Sequence, residues 1–268
     1  MPANGPDAHA TPDTPLLSLV IPARDEADNI APLIVEVGQA LGGGAVAAGG
    51  FELIMVDDGS RDGTGASLRV LAEATPWLRA IALDEPSGQS IALHRGIAAA
   101  QGEWVATLDA DLQNDPADLP GMLRRAIDEQ LDLVQGDRSA KRRDNVIRRV
   151  GSRVGRLVRR LLLNDRVRDT GCSTRVMRAT LAKQLPLDRP GMHRFIPALL
   201  AMRGARIAEV PVNHRPRNAG QTKYGLGILK RALPGLRDTL AVRRMARQPR
   251  LERSGNLPKR LKQEGGQV

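Results

Sequence analysis

The chain has 268 residues, of which 41% are hydrophobic and only 2% aromatic, and its formal net charge is +10. This length and apolar content suffice for one large α/β domain or two small ones, while so few aromatic side chains argue against a stacking platform for single-stranded nucleic acid. The positive charge indicates an anionic partner such as polyphosphate, nucleic acid or an acidic membrane surface.

Residues 1–15 are polar and lack both a basic start and an apolar core, so we expect a disordered leader rather than a signal peptide. The single cysteine, Cys172, excludes an internal disulfide and a cysteine-based zinc cluster, and fits a reducing cytoplasm. No uncharged apolar run reaches about eighteen residues, so we expect no transmembrane helix and only peripheral contact with a membrane.

From residue 16 to residue 136, short apolar runs alternate with stretches of helical length. The predicted strands are 16–21, 51–56, 78–83, 104–108 and 131–136, and the predicted helices between them are 27–41, 63–74, 89–100 and 116–130. Apolar strands separated by amphipathic helices are typical of a mostly parallel sheet that is covered on both faces. We therefore predict a doubly wound α/β domain.

Charged residues collect in the segments that follow four of these strands. The segments read PARDEADN after the first strand, DDGSRDGT after the second, DADLQNDP after the fourth and DRSAKRR after the fifth. In a doubly wound sheet, the ligand binds in the loops at the carboxyl ends of the strands. We therefore expect a single site at one edge of the sheet.

Two amphipathic stretches beyond residue 136 carry many arginines. Valine and leucine recur at helical spacing over 146–161 and leucine over 226–247, where Pro234 can kink the helix. Such helices can lie in an anionic membrane interface, or they can pack on the sheet with a solvated arginine face. Placement in the membrane interface is favoured for 226–247, whereas for 148–160 neither the membrane interface nor packing on the sheet is favoured.

The polar tail, 248–268, is expected to be disordered.

The loop after the second strand places two adjacent carboxylates at a strand end. Asp57 and Asp58 can accept hydrogen bonds from a ribose hydroxyl or a base edge, and their mutual repulsion favours a ligand over a purely structural role. Asp62 is better explained as the start of the next helix. No GxGxxG follows the first strand, which disfavours a Rossmann dehydrogenase.

In DADLQNDP, Asp109 and Asp111 are two residues apart, so a continuing strand would point both side chains to the same face. Their oxygens could then share a divalent cation such as Mg²⁺ or Mn²⁺, which takes its remaining ligands from water and substrate phosphates. A lone D-x-D is weak evidence, but the three companion loops strengthen the prediction of a metal–diphosphate site. Asp115, beside Pro116, is predicted to cap a helix.

Five motifs, in order, resemble family 2 of the glycosyltransferases in its dolichyl-phosphate mannosyltransferase-like branch. LSLVIPARDEADNI is similar to the family's VIPxYNExENI, VDDGSRDGT to its nucleotide-binding segment, and DADLQNDP to its metal motif DADLQHPP. DTGCSTRVMR resembles DxTGxFRLxRR, and EVPVNHRPRNAGQTKYG resembles EVPIxFxxRxxGxSKY. The chain departs from these patterns at Arg24, Ser173 and Thr174, where aromatic residues are common.

The resemblance implies a GT-A fold over residues 16–225. It implies inverting transfer of a hexose, mannose or glucose, from a donor such as GDP-mannose or UDP-glucose to a polyprenyl phosphate, with Mg²⁺ or Mn²⁺ as cofactor. It further implies a cytoplasmic enzyme that does not bind nucleic acid and that works at an anionic membrane surface, peripherally or beside a separate membrane protein. Many relatives carry transmembrane helices after the SKY-like motif, and none is expected here.

The resemblance also implies a set of site residues. Those at the nucleobase and ribose are Pro22, Arg24, Glu26, Val56 and Asp58, and those at the diphosphate and sugar are Asp109, Ala110 and Asp111. The implied metal ligands are Asp111 and Gln113, the phosphate ligands are Arg138, Arg217 and Lys223, and the acceptor-phosphate contacts are Arg138, Arg148 and Ser152. Asp109, Asp111 and Arg138 are the implied catalytic residues.

An ionised phosphate acceptor, with a second pKa of about 6, needs no strong general base. Two alternatives to a glycosyltransferase remain open. A haloacid-dehalogenase-type phosphatase also carries a D-x-D after a strand, although Thr or Val usually stands where this chain has Gln113. A basic nucleic-acid-binding protein fits the net charge, but the scarce aromatic residues and the amphipathic placement of the arginines count against it.

Overall fold

The computed structural model describes residues 14–139, 160–163, 165, 167–216 and 239–245. Strands β1 to β7 are Leu17–Ala23, Phe51–Asp57, Leu78–Ala82, Trp104–Thr107, Leu133–Asp137, Arg175–Arg178 and Ile207–Pro211. Helices α1 to α7 are Ala27–Leu41, Gly44–Gly49, Thr64–Ala74, Gln89–Ala99, Asp118–Asp128, Ala179–Ala182 and Ile196–Met202, and a 3-10 helix spans Met192–Phe195.

The strands form one sheet in the order β3-β2-β1-β4-β6-β5-β7. β1 pairs in parallel with β2 and β4, β2 with β3, and β5 with β7. β6 is antiparallel to both of its neighbours, β4 and β5. The predicted mostly parallel sheet is confirmed, and β5 and β7 point in the same direction as β1 to β4.

Alternate residues of each central strand are buried on opposite faces of the sheet. In β1, Leu17, Leu19 and Ile21 pack in one apolar cluster with residues of α1, α3 and α5. Val20 packs in a second cluster, with residues of α4, α6 and α7. Helices therefore cover both faces, as predicted, and aliphatic side chains fill both halves of the core.

The nine predicted elements agree with the observed ones to within two residues at each end. The sequence analysis missed the short helices α2, α6 and α7 and the strands β6 and β7. The predicted basic helices fall mostly outside the described residues, but 160–163 and 239–245 are helical. In the part of the chain that is described, no helix has the length and apolar character needed to cross a bilayer.

Gly96 allows α4 to lie close against the sheet. A Cβ atom at this position would overlap the side chain of Val20 and come within 3.1 Å of Val56. The close packing of α4 on β1 and β2 matters because the amino end of α4 reaches the edge of the sheet where the charged loops meet.

Ser90, near the amino end of α4, holds the 3-10 helix. Its Oγ accepts a hydrogen bond from the backbone N–H of His193 at 3.1 Å and lies 2.8 Å from His193 Nδ1. Burial lowers the pKa of His193 to about 3, and the nearby charges of Arg194 and Arg175 act in the same direction. His193 is therefore neutral in the folded protein near neutral pH.

His193 should make stability depend on pH. Below about pH 6.5 the unfolded chain protonates this histidine whereas the folded chain does not, so the free energy of unfolding should fall as the pH decreases. The loss through this group is about 2 kcal/mol between pH 6.5 and pH 5. Urea unfolding at both pH values should show a smaller loss for His193→Asn, and an equal loss in both proteins would contradict the prediction.

Helix α5 ends in a turn that requires a left-handed residue. Gln130 has a backbone φ of 50°. Its N–H donates to the carbonyl of Ile127 at 3.1 Å, and the N–H of Leu131 donates to the carbonyl of Ala126 at 2.8 Å. This is the hydrogen-bond pattern of a helix end at which glycine is usual, because a Cβ is unfavourable there.

Gln130→Gly should therefore stabilise the protein. The expected gain in the free energy of unfolding is about 0.5–1 kcal/mol, since the strain that is relieved exceeds the added flexibility of the unfolded chain. Thermal unfolding should move up by about 2 °C. Gln130→Ala, which keeps a Cβ, is the matched control, and an equal gain in that variant would show that the turn is not the cause.

Candidate active site

The charged loops meet at one edge of the sheet, as predicted. The carboxyl ends of β1, β2, β4, β5 and β7 all lie there because these strands point in the same direction. β6 runs the opposite way, so the segment that precedes it, residues 169–174, reaches the same edge. Two segments that were not predicted to flank the strand ends, 169–174 and 212–216, therefore also contribute to the site.

The loop after β4 turns at once instead of continuing the strand. β4 ends at Thr107, and Leu112 has a backbone φ of 58°, which is rare for a residue with a side chain. The expectation that Asp109 and Asp111 share a face of an extended strand is therefore wrong. A tight loop brings them together, and Asp111 Oδ1 accepts the backbone N–H of Gln113 at 3.2 Å.

Asp109 is held from two sides. Gln89, the first residue of α4, donates from Nε2 to Asp109 Oδ1 at 2.8 Å, and the hydroxyl of Ser173 hydrogen-bonds to the same carboxylate. Burial raises the pKa of Asp109, and the charge of Asp111 raises it further. The Ser173 bond and the positive charges of Arg138 and Arg175 lower it only in part. Burial and the neighbouring carboxylate thus both disfavour the charged form of Asp109.

This loop fits a hard divalent cation. Two carboxylates and the amide of Gln113 supply the oxygen ligands that Mg²⁺ and Mn²⁺ prefer, and a cation would offset the repulsion between the two carboxylates. Among the residues that the structure describes, no group of three or more His, Cys, Asp and Glu side chains is placed to hold an ion. A metal here would therefore need ligands from water or from a substrate.

The adjacent carboxylates Asp57 and Asp58 are bonded to backbone N–H groups. Asp57 Oδ1 accepts from Ser60 at 3.0 Å, and the Asp58 carboxylate accepts from Ser87 at 2.7 Å and from Gly88 at 2.9 Å. Their exposed fractions are only 8% and 3%. Contrary to expectation, their repulsion requires no ligand. Asp58 shapes the turn that begins α4 and thereby places Gln89 beside the 109–115 loop. Its contact with a ribose or base stays a prediction.

The predicted nucleobase residues differ in their accessibility. Arg24 is exposed, and Pro22 and Glu26 are partly exposed, whereas Ala110, predicted at the diphosphate and sugar, is buried. The side chain of Val56 is fully buried against α4, so only its backbone could contact a nucleobase, and its place in the donor site stays a prediction. The cause of this burial is the alternation of β2, which turns this residue toward the core.

Asp62 and Asp115 both cap helices. Asp62 begins two helices, because its carboxylate accepts from the N–H groups of Thr64 at 2.9 Å and Ala27 at 3.1 Å. The prediction of Asp115 as a helix cap is confirmed, since its Oδ1 accepts the backbone N–H of Ala117 at 3.0 Å just before α5. Its other oxygen, Oδ2, forms an ion pair with Arg215 at 2.9 Å.

Two buried arginines lie beside the site. Arg138 donates to both carboxylate oxygens of Asp169, from Nε at 2.8 Å and from a terminal nitrogen at 3.2 Å. Arg175 is 2% exposed and donates to Gln135 Oε1 at 2.8 Å and to the carbonyl of Thr170 at 3.0 Å. Their charges reach Asp109, which gives this carboxylate a positive environment on one side.

Sequence reasoning overlooked three residues that contact this site. Asp169 and Arg175 belong to the quoted motif DTGCSTRVMR but were assigned no role, and Gln89 follows the turn SG directly at a helix start. Their positions in a motif or at a helix start are the signals that could have identified them.

Four of the predicted residues lie outside the described residues: Arg148, Ser152, Arg217 and Lys223. Their phosphate contacts therefore stay predictions.

Removing one member of the Arg138–Asp169 pair should be strongly destabilising. Asp169→Leu leaves a buried guanidinium without its carboxylate, which costs about 3–5 kcal/mol of unfolding free energy. The double variant Arg138→Met/Asp169→Leu removes both charges and should recover most of that loss. Urea unfolding measures both effects. Equal stability of the single and double variants would contradict this account of the pair.

Comparison with known proteins identifies the family. The glycosyl transferase family 2 profile matches residues 18–186. Dodecaprenyl-phosphate galacturonate synthase of Rhizobium johnstonii is 34% identical over 236 residues, which cover 87% of this chain and 69% of that protein. Undecaprenyl-phosphate 4-deoxy-4-formamido-L-arabinose transferase of Klebsiella pneumoniae is 32% identical over 215 residues, which cover 80% of this chain and 64% of that protein. The chain thus spans about two thirds of the length of these relatives.

Solved structures share the fold. Glucosyl-3-phosphoglycerate synthase of Mycobacterium tuberculosis, in complex with Mn²⁺, UDP-glucose and phosphoglyceric acid, has a TM-score of 0.59 at 21% identity and covers 87% of this chain and 80% of its own. A mannosyltransferase of Pyrobaculum calidifontis, in complex with GDP-Man and Mn²⁺, has a TM-score of 0.56 at 18% identity. The match covers 87% of this chain and 74% of the mannosyltransferase chain. The fold is GT-A, and the chain belongs to glycosyl transferase family 2.

Proposed function

We propose that this protein transfers a sugar from a nucleotide-diphosphate donor to a polyprenyl phosphate. The observation that carries the proposal is the single sheet edge at which the Asp109–Asp111 loop meets two buried guanidinium groups. The two curated relatives, whose names include a polyprenyl phosphate, support this acceptor class. Membership of a glycosyltransferase family decides against the phosphatase and the nucleic-acid-binding protein as the primary function.

The sugar is proposed from the same relatives. Their names contain galacturonate and 4-deoxy-4-formamido-L-arabinose. The expectation of mannose or glucose finds no support there, so we replace it. We propose that the transferred group belongs to one of these two classes of polar sugar, carried on a nucleoside diphosphate.

The chemistry requires stabilisation of negative charge. As the bond between the anomeric carbon and the donor diphosphate breaks, an acceptor phosphate oxygen bonds to that carbon, and we propose inversion in this single displacement. Arg138 and Arg175 provide positive charge beside the site, which favours the departing diphosphate. The acceptor phosphate is largely ionised near neutral pH, so the reaction needs no strong base.

The DADLQ loop would hold the cofactor. Asp111 and Gln113 are the proposed ligands of Mg²⁺ or Mn²⁺, which when bound neutralises charge on the diphosphate. Gln89 and Ser173 orient Asp109 toward the donor. Pro22, Arg24 and Glu26 remain the proposed rim of the nucleobase site, and Asp57 and Asp58 support that rim through the turns that they hold.

A polyprenyl phosphate resides in a membrane, so the reaction must occur at a membrane surface. We propose that the basic amphipathic segment 226–247 contacts anionic lipid there, since rows of arginine beside an apolar face suit such an interface. The enzyme would then work peripherally at the cytoplasmic face or beside a separate membrane protein.

A donor panel tests the proposed function. The full chain should be incubated with a short-chain polyprenyl phosphate, Mn²⁺ and labelled UDP-galacturonate, UDP-4-deoxy-4-formamido-L-arabinose, UDP-glucose or GDP-mannose. We expect lipid-linked product with one of the first two donors. Asp111→Asn should reduce the rate about 100-fold, because it weakens a site that contributes several kcal/mol of charge stabilisation.

Asp128→Asn, at an exposed position on α5, is the matched control and should retain full activity. Absence of lipid-linked sugar with every donor would overturn the proposed function. Full activity of Asp111→Asn would overturn the assignment of this loop as the metal site.

A further inference from the structure

The segment after β7 is bonded to the loop that follows β4 and to the start of α5. The backbone N–H and the side-chain amide of Asn213 donate to the carboxylate of Asp118 at 2.7 Å and 3.0 Å. His214 forms an antiparallel bridge with Asn114. We call residues 213–215 the clasp, because each of them bonds across to the loop or to the helix start.

Arg215 bonds through both its backbone and its side chain. Its backbone N–H donates to the carbonyl of Gln113 at 2.8 Å. One terminal nitrogen of its guanidinium bonds to both carboxylate oxygens of Glu36 on α1, at 2.8 Å and 2.9 Å, and the other lies 2.9 Å from Asp115 Oδ2. A planar guanidinium can hold two carboxylates at once in fixed directions. Arg215 therefore joins α1, the clasp and the end of the DADLQNDP loop.

Stability alone does not explain this arrangement. The side chains of Arg215, Glu36 and Asp115 are 39%, 31% and 19% exposed, and ion pairs at such positions contribute only about 0–1 kcal/mol. What the bonds supply is a defined geometry, because they fix both the backbone and the last carboxylate of the loop.

The loop needs such a constraint. Leu112 is in the left-handed backbone region, which costs about 1–2 kcal/mol for a residue with a side chain. The like charges of Asp109 and Asp111 repel each other, which also opposes the close placement of the two carboxylates.

We infer that Arg215 is a positioning residue for the donor site: by pairing Glu36 with Asp115 and bonding to Gln113, it holds the 109–115 loop in the form that binds metal and diphosphate. The inference rests on the proposed function, because it assigns a role within the same site. Arg215 acts on the reaction through the loop and does not itself contact the reacting atoms.

Arg215→Gln tests the inference kinetically. The KM for the donor and the Mn²⁺ concentration for half-maximal activity should each rise about tenfold, as for other residues that orient metal ligands, whereas kcat should change by less than about threefold. Arg215→Lys keeps the charge but cannot hold two carboxylates in the same way, and should give intermediate values.

Arg79→Gln is the matched control. Arg79 pairs with Glu52 at 2.9 Å and is 43% exposed, close to the exposure of Arg215, but it lies at the amino ends of the strands, away from the site. It should lose similar stability in thermal unfolding while the donor KM and the Mn²⁺ requirement stay at the wild-type values.

A second measurement does not depend on activity. Amide hydrogen exchange of the metal-free protein should be faster over residues 109–116 in Arg215→Gln and unchanged there in Arg79→Gln. Calorimetric titration with Mn²⁺ and UDP should show affinity reduced about tenfold in Arg215→Gln only.

Unchanged exchange and unchanged donor KM in Arg215→Gln would overturn the inference, and so would a large fall in kcat with a normal KM, which indicates a direct catalytic role. If the wild-type protein transfers no sugar from any donor, the proposed function fails. In that case, faster exchange over 109–116 together with weaker Mn²⁺–UDP binding still supports the positioning role, and the absence of both overturns it.

Discussion

The direction of the strands is the constraint on which the site depends. Six strands end at one edge, and β6, which runs the other way between β4 and β5, begins there. Segments that are far apart in the chain are thereby brought to one place, among them the loop with Asp109 and the one with Asp169. A parallel β6 would carry its preceding segment to the opposite edge, and Arg138 would lose its partner.

The carboxylates at this edge are divided between structure and chemistry by the hydrogen bonds that they accept. Asp57, Asp58 and Asp62 accept backbone N–H groups and thereby define turns and helix starts. Asp109 receives side-chain donors and remains partly accessible. Asp111 accepts a backbone N–H from Gln113 and lies close to Asp109, so the DADLQ loop, where we propose the cation and the diphosphate, combines both kinds of carboxylate.

The positive groups of the site are buried and fixed. Arg138 is locked by two bonds to Asp169, and Arg175 by neutral acceptors. Fixed guanidinium groups can stabilise charge that develops on a substrate without first having to move, which is the arrangement that transfer of a sugar from a diphosphate requires. Arg215 is also held by ion pairs, with Glu36 and Asp115, but we infer that it positions the 109–115 loop and does not contact the substrate.

The order of strands and helices, the edge that carries the site and the family could all be read from local patterns, because apolar periodicity and short motifs are written in consecutive residues. Local patterns did not reveal β6 and β7, because Arg175 and Arg178 in β6 and Glu209 in β7 interrupt the apolar runs by which the other strands were found. They also could not show that Asp115 pairs with Arg215 or that the side chain of Val56 packs against α4. Those contacts depend on partners distant in the chain. A carboxylate's role is set by which donors the folded chain brings to it, and that information is absent from its neighbours in sequence.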